Sequence, residues 1–383
     1  MAEHRFIEPQ DVLFFRGNRL FGEPGDAGAA LMPPWPSVFA GALRSAMLAA
    51  ARVDPGQVRN GRLPAPLDTV LGSPEAPGTF TLTDLSLARW QSAEAAEPLH
   101  PLPADLSIEH DEATARCTVH RLTPQPLPSG VAGSQPLERL PVLRRNERTK
   151  PAEGYWLTHA GWQHYCRGET PPAETLVHRS EIWESDPRLG IALDPEQRTA
   201  AEGQLYTTEA IRLRSGYGFH ATVIGADPET LPTQATLRLG GDGRGAAMAP
   251  APAPAAADPD PEAIAAEGRL RIVLTTPGIF PGGWSLPGLD ASGLWHYPGG
   301  RARVVAAAVA RGQVVSGWDL AQHRPKPAQR AAPAGAVYWL EDLEGGVEPL
   351  RKLAESGLWG LTPENEDPAR RAEGFNRFAI ANA

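Results

Sequence analysis

The chain has 383 residues, 42% of them apolar, with 10 Trp, which is enough to bury a substantial core and long enough for two domains. Two cysteines, Cys117 and Cys166, are too far apart for a local metal pair and too few for a disulfide framework, so a reducing cytoplasm fits; MAEHRFIEP holds no apolar signal core, and no run of about eighteen apolar residues offers a membrane span. The formal net charge of −9 argues against wholesale binding of nucleic acid, yet at physiological salt the Debye length is about 8 Å, so a phosphate responds to local patches.

In chain order, Phe6 to Phe15 reads as a first strand, with Val12 to Phe15 apolar on both faces. Its exit, RGNR, puts Arg16 and Arg19 at the strand end. Pro33 to Pro36 leads into Ser37, an expected N-cap for a helix from Val38 to Arg52 with Phe39, Leu43 and Met47 in its core stripe. Arg44 lies off that stripe, and the positive end of the helix dipole could dock a phosphate; a plain strand-to-helix turn is the other reading. Thr79 to Trp90 alternates as a strand. Pro98 to Pro141 reads as a meander or an ordered arm. After it comes LRRNERTK, a basic loop carrying Arg145, Arg148 and Lys150 and suited to a polyanion. His159, His164 and Cys166 fit neither common zinc spacing, so no metal is expected.

A short polar helix is expected from Pro195 to Glu202, inside a loop feeding a hairpin. LRLGGDGR ends a strand in a glycine turn with Arg244 at its tip, where glycines let amides approach a phosphate or simply turn the chain. Residues 245–268 are Ala/Pro-rich and read as a structureless linker. Beyond it, Leu270 to Thr276, Arg303 to Val315, Ala336 to Glu341 and Phe375 to Ile380 are expected strands. A short helix within Trp284 to Trp295 and another from Glu348 to Leu358 complete a β-α-β-β-α-β order.

Between the second and third of those strands runs SGWDLAQHRPKPAQRAAPAGAVYWL, Ser316 to Leu340. It carries His323, Arg324, Lys326 and Arg330 against Asp319, with Trp318 at its base. Prolines 325, 327 and 333 fix φ and remove donors, so the segment should stand off the sheet as a semi-rigid arm. Cations beside an exposed ring suit a single nucleic-acid strand, which needs phosphate partners and a stacking surface.

GWDL, PKP, Arg330 and PAGAVYW, together with EPQDVLFFRGNRLFG (8–22) and PPWPSVFAGALR (33–44), resemble the third-numbered RAMP subunits of type III-B CRISPR (Cmr) effector complexes. The resemblance covers nearly the whole chain. It implies an α+β protein of two ferredoxin-like (RRM-like, RAMP) domains with long Pro/Gly-rich loops, residues 1–244 and 269–383, joined by the linker 245–268. It also implies a non-catalytic, cofactor-free subunit in antiviral defence. Its partners would be the 5′ repeat-derived tag of the crRNA, the large polymerase-like subunit and the repeated backbone RAMP subunit. One departure stands out: the glycine-rich loop before the last strand keeps Gly357, Gly360 and Gly374 but ends GFN at Asn376 where the family pattern has GFG. Two other readings stay open: a guide-processing endoribonuclease using His178, or His220 near Tyr217, and a protein scaffold without RNA contact.

Overall fold

The computed structural model describes residues 2–17, 27–28, 30–73, 76–92, 95–111, 113–131, 137–145, 150–193, 196–197, 199–319 and 324–383. The described chain is mixed, mostly strand with short helices. Eight strands drawn from residues 3–250 form one antiparallel sheet: β1 (Glu3–Pro9), β2 (Thr81–Ser92), β3 (Ala95–Pro101), β4 (Tyr155–Leu157), β5 (Leu176–His178), β6 (Tyr217–Ile224), β7 (Ala235–Leu239) and β8 (Arg244–Pro250). Their spatial order is β5-β4-β3-β2-β6-β1-β8-β7. Helix α1 (Pro36–Ala50) lies on this sheet because Phe39, Leu43 and Met47 recur at four-residue spacing and are all fully buried; the Phe39 and Phe219 rings sit 4.6 Å apart.

A second antiparallel sheet comes from residues 270–382: β9 (Leu270–Leu274), β10 (Leu294–Tyr297), β11 (Gly300–Ala308), β12 (Val337–Glu344) and β13 (Phe378–Asn382), in the order β10-β11-β12-β9-β13. VYWL in β12 is buried on both faces. Tyr338 and Leu340 join a core with Trp295 and Leu350, while Val337 and Trp339 pack with Trp162 and Tyr165 of α2 (His159–Cys166). The two sheets are therefore joined through a shared apolar layer, with an ion pair inside it.

Arg271 on β9 and Asp105 are both fully buried and meet at 2.7 Å. Arg271 also donates to the carbonyls of Asn382, at 2.7 Å, and Tyr165, at 3.1 Å, and its guanidinium lies 4.2 Å from the Tyr165 ring centroid. The Tyr165 hydroxyl donates to the other Asp105 oxygen at 2.8 Å. Burial, reinforced by the Asp105 charge, raises the Tyr165 pKa well above its usual range.

Nearby, His100 stacks on Trp162 with centroids 4.7 Å apart, and burial pushes its pKa down to about 3 from 6.5, with His159 adding to the effect and Asp84 opposing it. The folded state keeps this ring neutral where an unfolded histidine would protonate. Its contribution is therefore intact above about pH 6.5 and is lost as pH falls toward 3, by at most about 1.4 kcal/mol per pH unit. Urea midpoints measured from neutral to mildly acidic pH should fall in the wild type and fall less steeply in His100→Gln.

Several expected boundaries are corrected. The first strand stops at Pro9; Val12 to Phe15 are buried by packing, and Leu13 makes a single bridge to Ile211. α1 begins at Pro36 with Trp35 as its cap, so Ser37 is already helical and caps nothing. The stretch 245–268 is not structureless: β8 continues to Pro250, and α3 (Pro261–Glu267) is capped by Asp260, whose carboxylate accepts from Glu262 and Ala263. At 195–202 the expected helix gives way to the strand Ala200–Leu213; residues 194, 195 and 198 lie outside the described ones. Residues 284–295 form turns entering β10 and hold no helix, and Arg303 to Val315 divides into β11 and a separate short strand. Pro98 to Pro141 contains, after β3, the hairpin Leu106–Asp111 with Arg116–Arg121 and the start of a smaller ribbon.

Candidate nucleic-acid interface

The connection from β11 to β12 is built as a stem. Gln313–Val315 pairs with Gln329–Ala331, and Trp318–Asp319 pairs with Arg324–Pro325. Between the two ribbons the Lys326 amide donates to the Gly317 carbonyl at 2.9 Å and the Ser316 hydroxyl donates to the Lys326 carbonyl at 2.8 Å. Instead of standing off the sheet, the stem is pinned to α5 (Pro368–Ala372). Arg370, 4% exposed, donates to the Gln329 side chain at 2.8 Å and to the Ser316 carbonyl at 3.3 Å, and pairs with Glu373 at 2.9 Å. Glu373, 2% exposed, also receives the Lys326 ammonium. One buried carboxylate thus holds both the stem's lysine and the arginine that grips its base.

Opposite the stem lies the exposed side of α1. Ser37, Arg44, Trp318 and Lys326, far apart in sequence, line a cleft of about 380 Å³ together with Gln329 and Arg370. Arg44 rests its guanidinium 5.0 Å from the Phe80 ring centroid, and it makes no hydrogen bond or ion pair to another described residue. Burial lowers its pKa, and the nearby Glu373 charge opposes that shift. Asp367 is committed to capping α5 and Glu373 to two cations, so Arg44 is left as a desolvated charge with spare donors. Trp318, 55% exposed, stands at the rim with no ring contact to another described residue.

Other expected contact residues lie apart from this cleft. Arg145 pairs with Glu109, which also meets His120 at 3.1 Å. Arg244 pairs with Asp11 at 3.0 Å and covers Phe14 at 5.2 Å. Arg16 is exposed on a bridge to Ala30, while Lys150 and Arg324 are exposed. Arg330 lines a different, mainly apolar cavity beside Trp284 and Val314. Arg19, Arg148 and His323 lie outside the described residues. Arg370 and Glu373 carry the cleft's geometry; they lie in the loop before the last strand, which the sequence marks by its glycines and not by these two residues.

The histidines open to acid-base work are engaged structurally. His178 caps a short helix by accepting from the Ser180 amide, while its own amide donates to the Glu181 carboxylate, although the Tyr155 ring lies 4.9 Å away. His220 is fully buried and contacts the Pro252 carbonyl at 3.2 Å. Asn376 has φ 63°, a left-handed value that asparagine tolerates better than most residues, and its buried amide bonds Ile279 and Leu358 backbone. At this position the side chain closes the loop from within, a task a glycine would leave undone.

The exposed ring gives a direct test of the cleft. Trp318→Ala should weaken single-stranded RNA binding by about 1–3 kcal/mol, the usual worth of one stacked base, with little change in salt dependence. Fluorescence anisotropy at several salt concentrations measures both.

The family model described as "CRISPR-associated protein (Cas_Cmr3)" matches residues 5–382. Among solved structures, the chain is similar to one in "Cryo-EM structure of the Type III-B Cmr-beta bound to cognate target RNA and AMPPnP, state 1", with a TM-score of 0.51 and 13% identity over 99% of each chain. It is also similar to one in "Cryo-EM structure of the Type III-B Cmr-beta bound to cognate target RNA", with a TM-score of 0.50 and 14% identity over 98% of this chain and 96% of that one. No curated protein matches. Because the family model spans nearly every residue, from the first strand through the stem to the last strand, the chain belongs to the Cas_Cmr3 family of CRISPR-associated proteins.

Proposed function

We propose that this protein is a non-catalytic subunit of a type III-B CRISPR ribonucleoprotein in which it grips the 5′ repeat-derived tag of the crRNA. It would dock the large polymerase-like subunit and the repeated backbone subunit around that grip. The observation that supports this reading best is the cleft between α1 and the stem, where Arg44 has donors no other described residue takes up, Lys326 adds a cation paired to Glu373, and Trp318 stands exposed. A single strand presents the complementary groups, alternating phosphate and unpaired base.

The fold reading is likewise ours: two ferredoxin-like units, 1–244 and 269–383, with 245–268 between them. Support comes from the strand orders. In β8-β1-β6-β2 the fourth strand lies beside the first, the first beside the third and the third beside the second, and β13-β9-β12-β11 repeats that arrangement. α1 and α4 (Glu348–Ser356) occupy one crossover in each.

Purified protein incubated with repeat-containing RNA provides the test. Salt-sensitive binding without cleavage products is the expected result. Cleavage abolished by His178→Ala or His220→Ala would transfer the protein to the processing nucleases, and absence of salt-sensitive binding would leave a scaffold.

A further inference from the structure

The cleft between α1 and the stem carries its own counter-charges. Arg44, Lys326 and Arg370 line it, and so do Asp319, Asp367 and Glu373. With screening over about 8 Å at physiological salt, a strand that comes near meets cations and carboxylates together. A phosphate gains a partner there only where one of the internal pairings can open.

Most of these pairings are fixed. Asp367 accepts from the Arg370 amide at 3.0 Å as the cap of α5. The buried Arg370 guanidinium is spread over the Gln329 side chain, the Ser316 carbonyl and one oxygen of Glu373. Lys326 differs. Its ammonium takes the other Glu373 oxygen and no second partner among the described residues, and its side chain, 27% exposed, is a flexible four-carbon stem. When Lys326 turns outward, Glu373 keeps Arg370 at 2.9 Å, so the buried carboxylate is not left without a counter-charge. The lysine can therefore leave at a moderate cost, which the arginine cannot.

We propose that Glu373 is a built-in competitor for phosphate: it holds Lys326 in the free protein and yields it to the bound strand, so that the cleft is inhibited by its own carboxylate. The proposal rests on the RNA-binding reading above and concerns how that site is regulated. Any strand must break the Lys326–Glu373 pair before it is held, and the pair sets a threshold that strands with few other contacts do not pass.

The experiment titrates single-stranded tag RNA against full-length wild type, Glu373→Gln, Lys326→Ala and the double variant at several salt concentrations, with melting curves confirming that each folds. Glu373→Gln keeps an acceptor for Arg370 and removes the charge that holds Lys326. It should tighten binding by roughly tenfold, the lower end for one hydrogen bond to a charged group. The salt slope should stay at the wild-type value, because the same phosphates are neutralised. In the Lys326→Ala background the same substitution should bring no gain. Should Glu373→Gln fail to fold, Glu373→Asp, which retains the charge beside Arg370 and draws it back from Lys326 by one methylene, should also tighten binding. Unchanged or weaker binding by a folded Glu373 variant, a gain that survives Lys326→Ala, or a slope steeper by about 0.7, meaning that Lys326 stays on Glu373 in the wild-type complex, overturns the exchange alone. Absence of salt-sensitive binding in wild type and Glu373→Gln alike would instead overturn the RNA reading beneath it.

Discussion

Asp105→Ala should cost about 3–5 kcal/mol of stability, because it strands the fully buried Arg271 guanidinium without its counter-charge. The cost exceeds that of a lost surface pair because the remaining bonds of Arg271, to the Asn382 and Tyr165 carbonyls, cannot neutralise it. Replacing both partners, Asp105→Leu with Arg271→Met, should recover much of the loss, since two apolar chains of similar volume need no compensation. Equilibrium urea unfolding of the three proteins measures this. A single substitution costing under about 1 kcal/mol would mean that water reaches the site and that the junction between the sheets is looser than described. The pair lies where α2 meets β9, inside the apolar layer that joins the two sheets.

Arg44→Ala combined with Lys326→Ala should reduce the salt slope of single-stranded RNA binding by about 1.4, on the basis of roughly 0.7 per phosphate contact. Each substitution alone should weaken binding by roughly tenfold, the lower end for a hydrogen bond to a charged group. The two effects should not be simply additive, because both cations face Glu373 and the loss of one changes the field at the other. Arg330→Ala, which alters a different cavity, should leave the slope unchanged. A slope unmoved by the double substitution would remove the cleft from the RNA path.

Much of the frame is legible in the residues. VYWL specifies a strand buried on both faces, and Phe39, Leu43 and Met47 mark the inner side of α1. The trend fails where composition is read in place of position. AAMAP looked like linker, yet Ala246 and Met248 are buried between β1 and β7, where small side chains suit a covered strand. Asp260 followed by Pro261 was a readable cap and first helical residue within the same stretch. Val12 to Phe15 extended the first strand on paper, although Pro9 has no N–H to continue a ladder.

The site was legible in part for a related reason. Local cues marked Ser37, Arg44, Trp318 and Lys326, and the fold brings those four together. Whether a cation is already spent depends on partners that arrive from elsewhere in the chain. Arg145 meets Glu109, Arg244 meets Asp11, and Lys326 meets Glu373, none of which periodicity or spacing reveals.

A guide RNA with 4-thiouridine placed along its tag, irradiated within the assembled effector complex, would report whether the tag lies in the cleft. Crosslinks are expected on this subunit at the stem around Trp318 to Lys326 and on the exposed side of α1 near Arg44. A tag that crosslinks to other subunits alone, or to this chain at surfaces remote from the cleft, would contradict that placement.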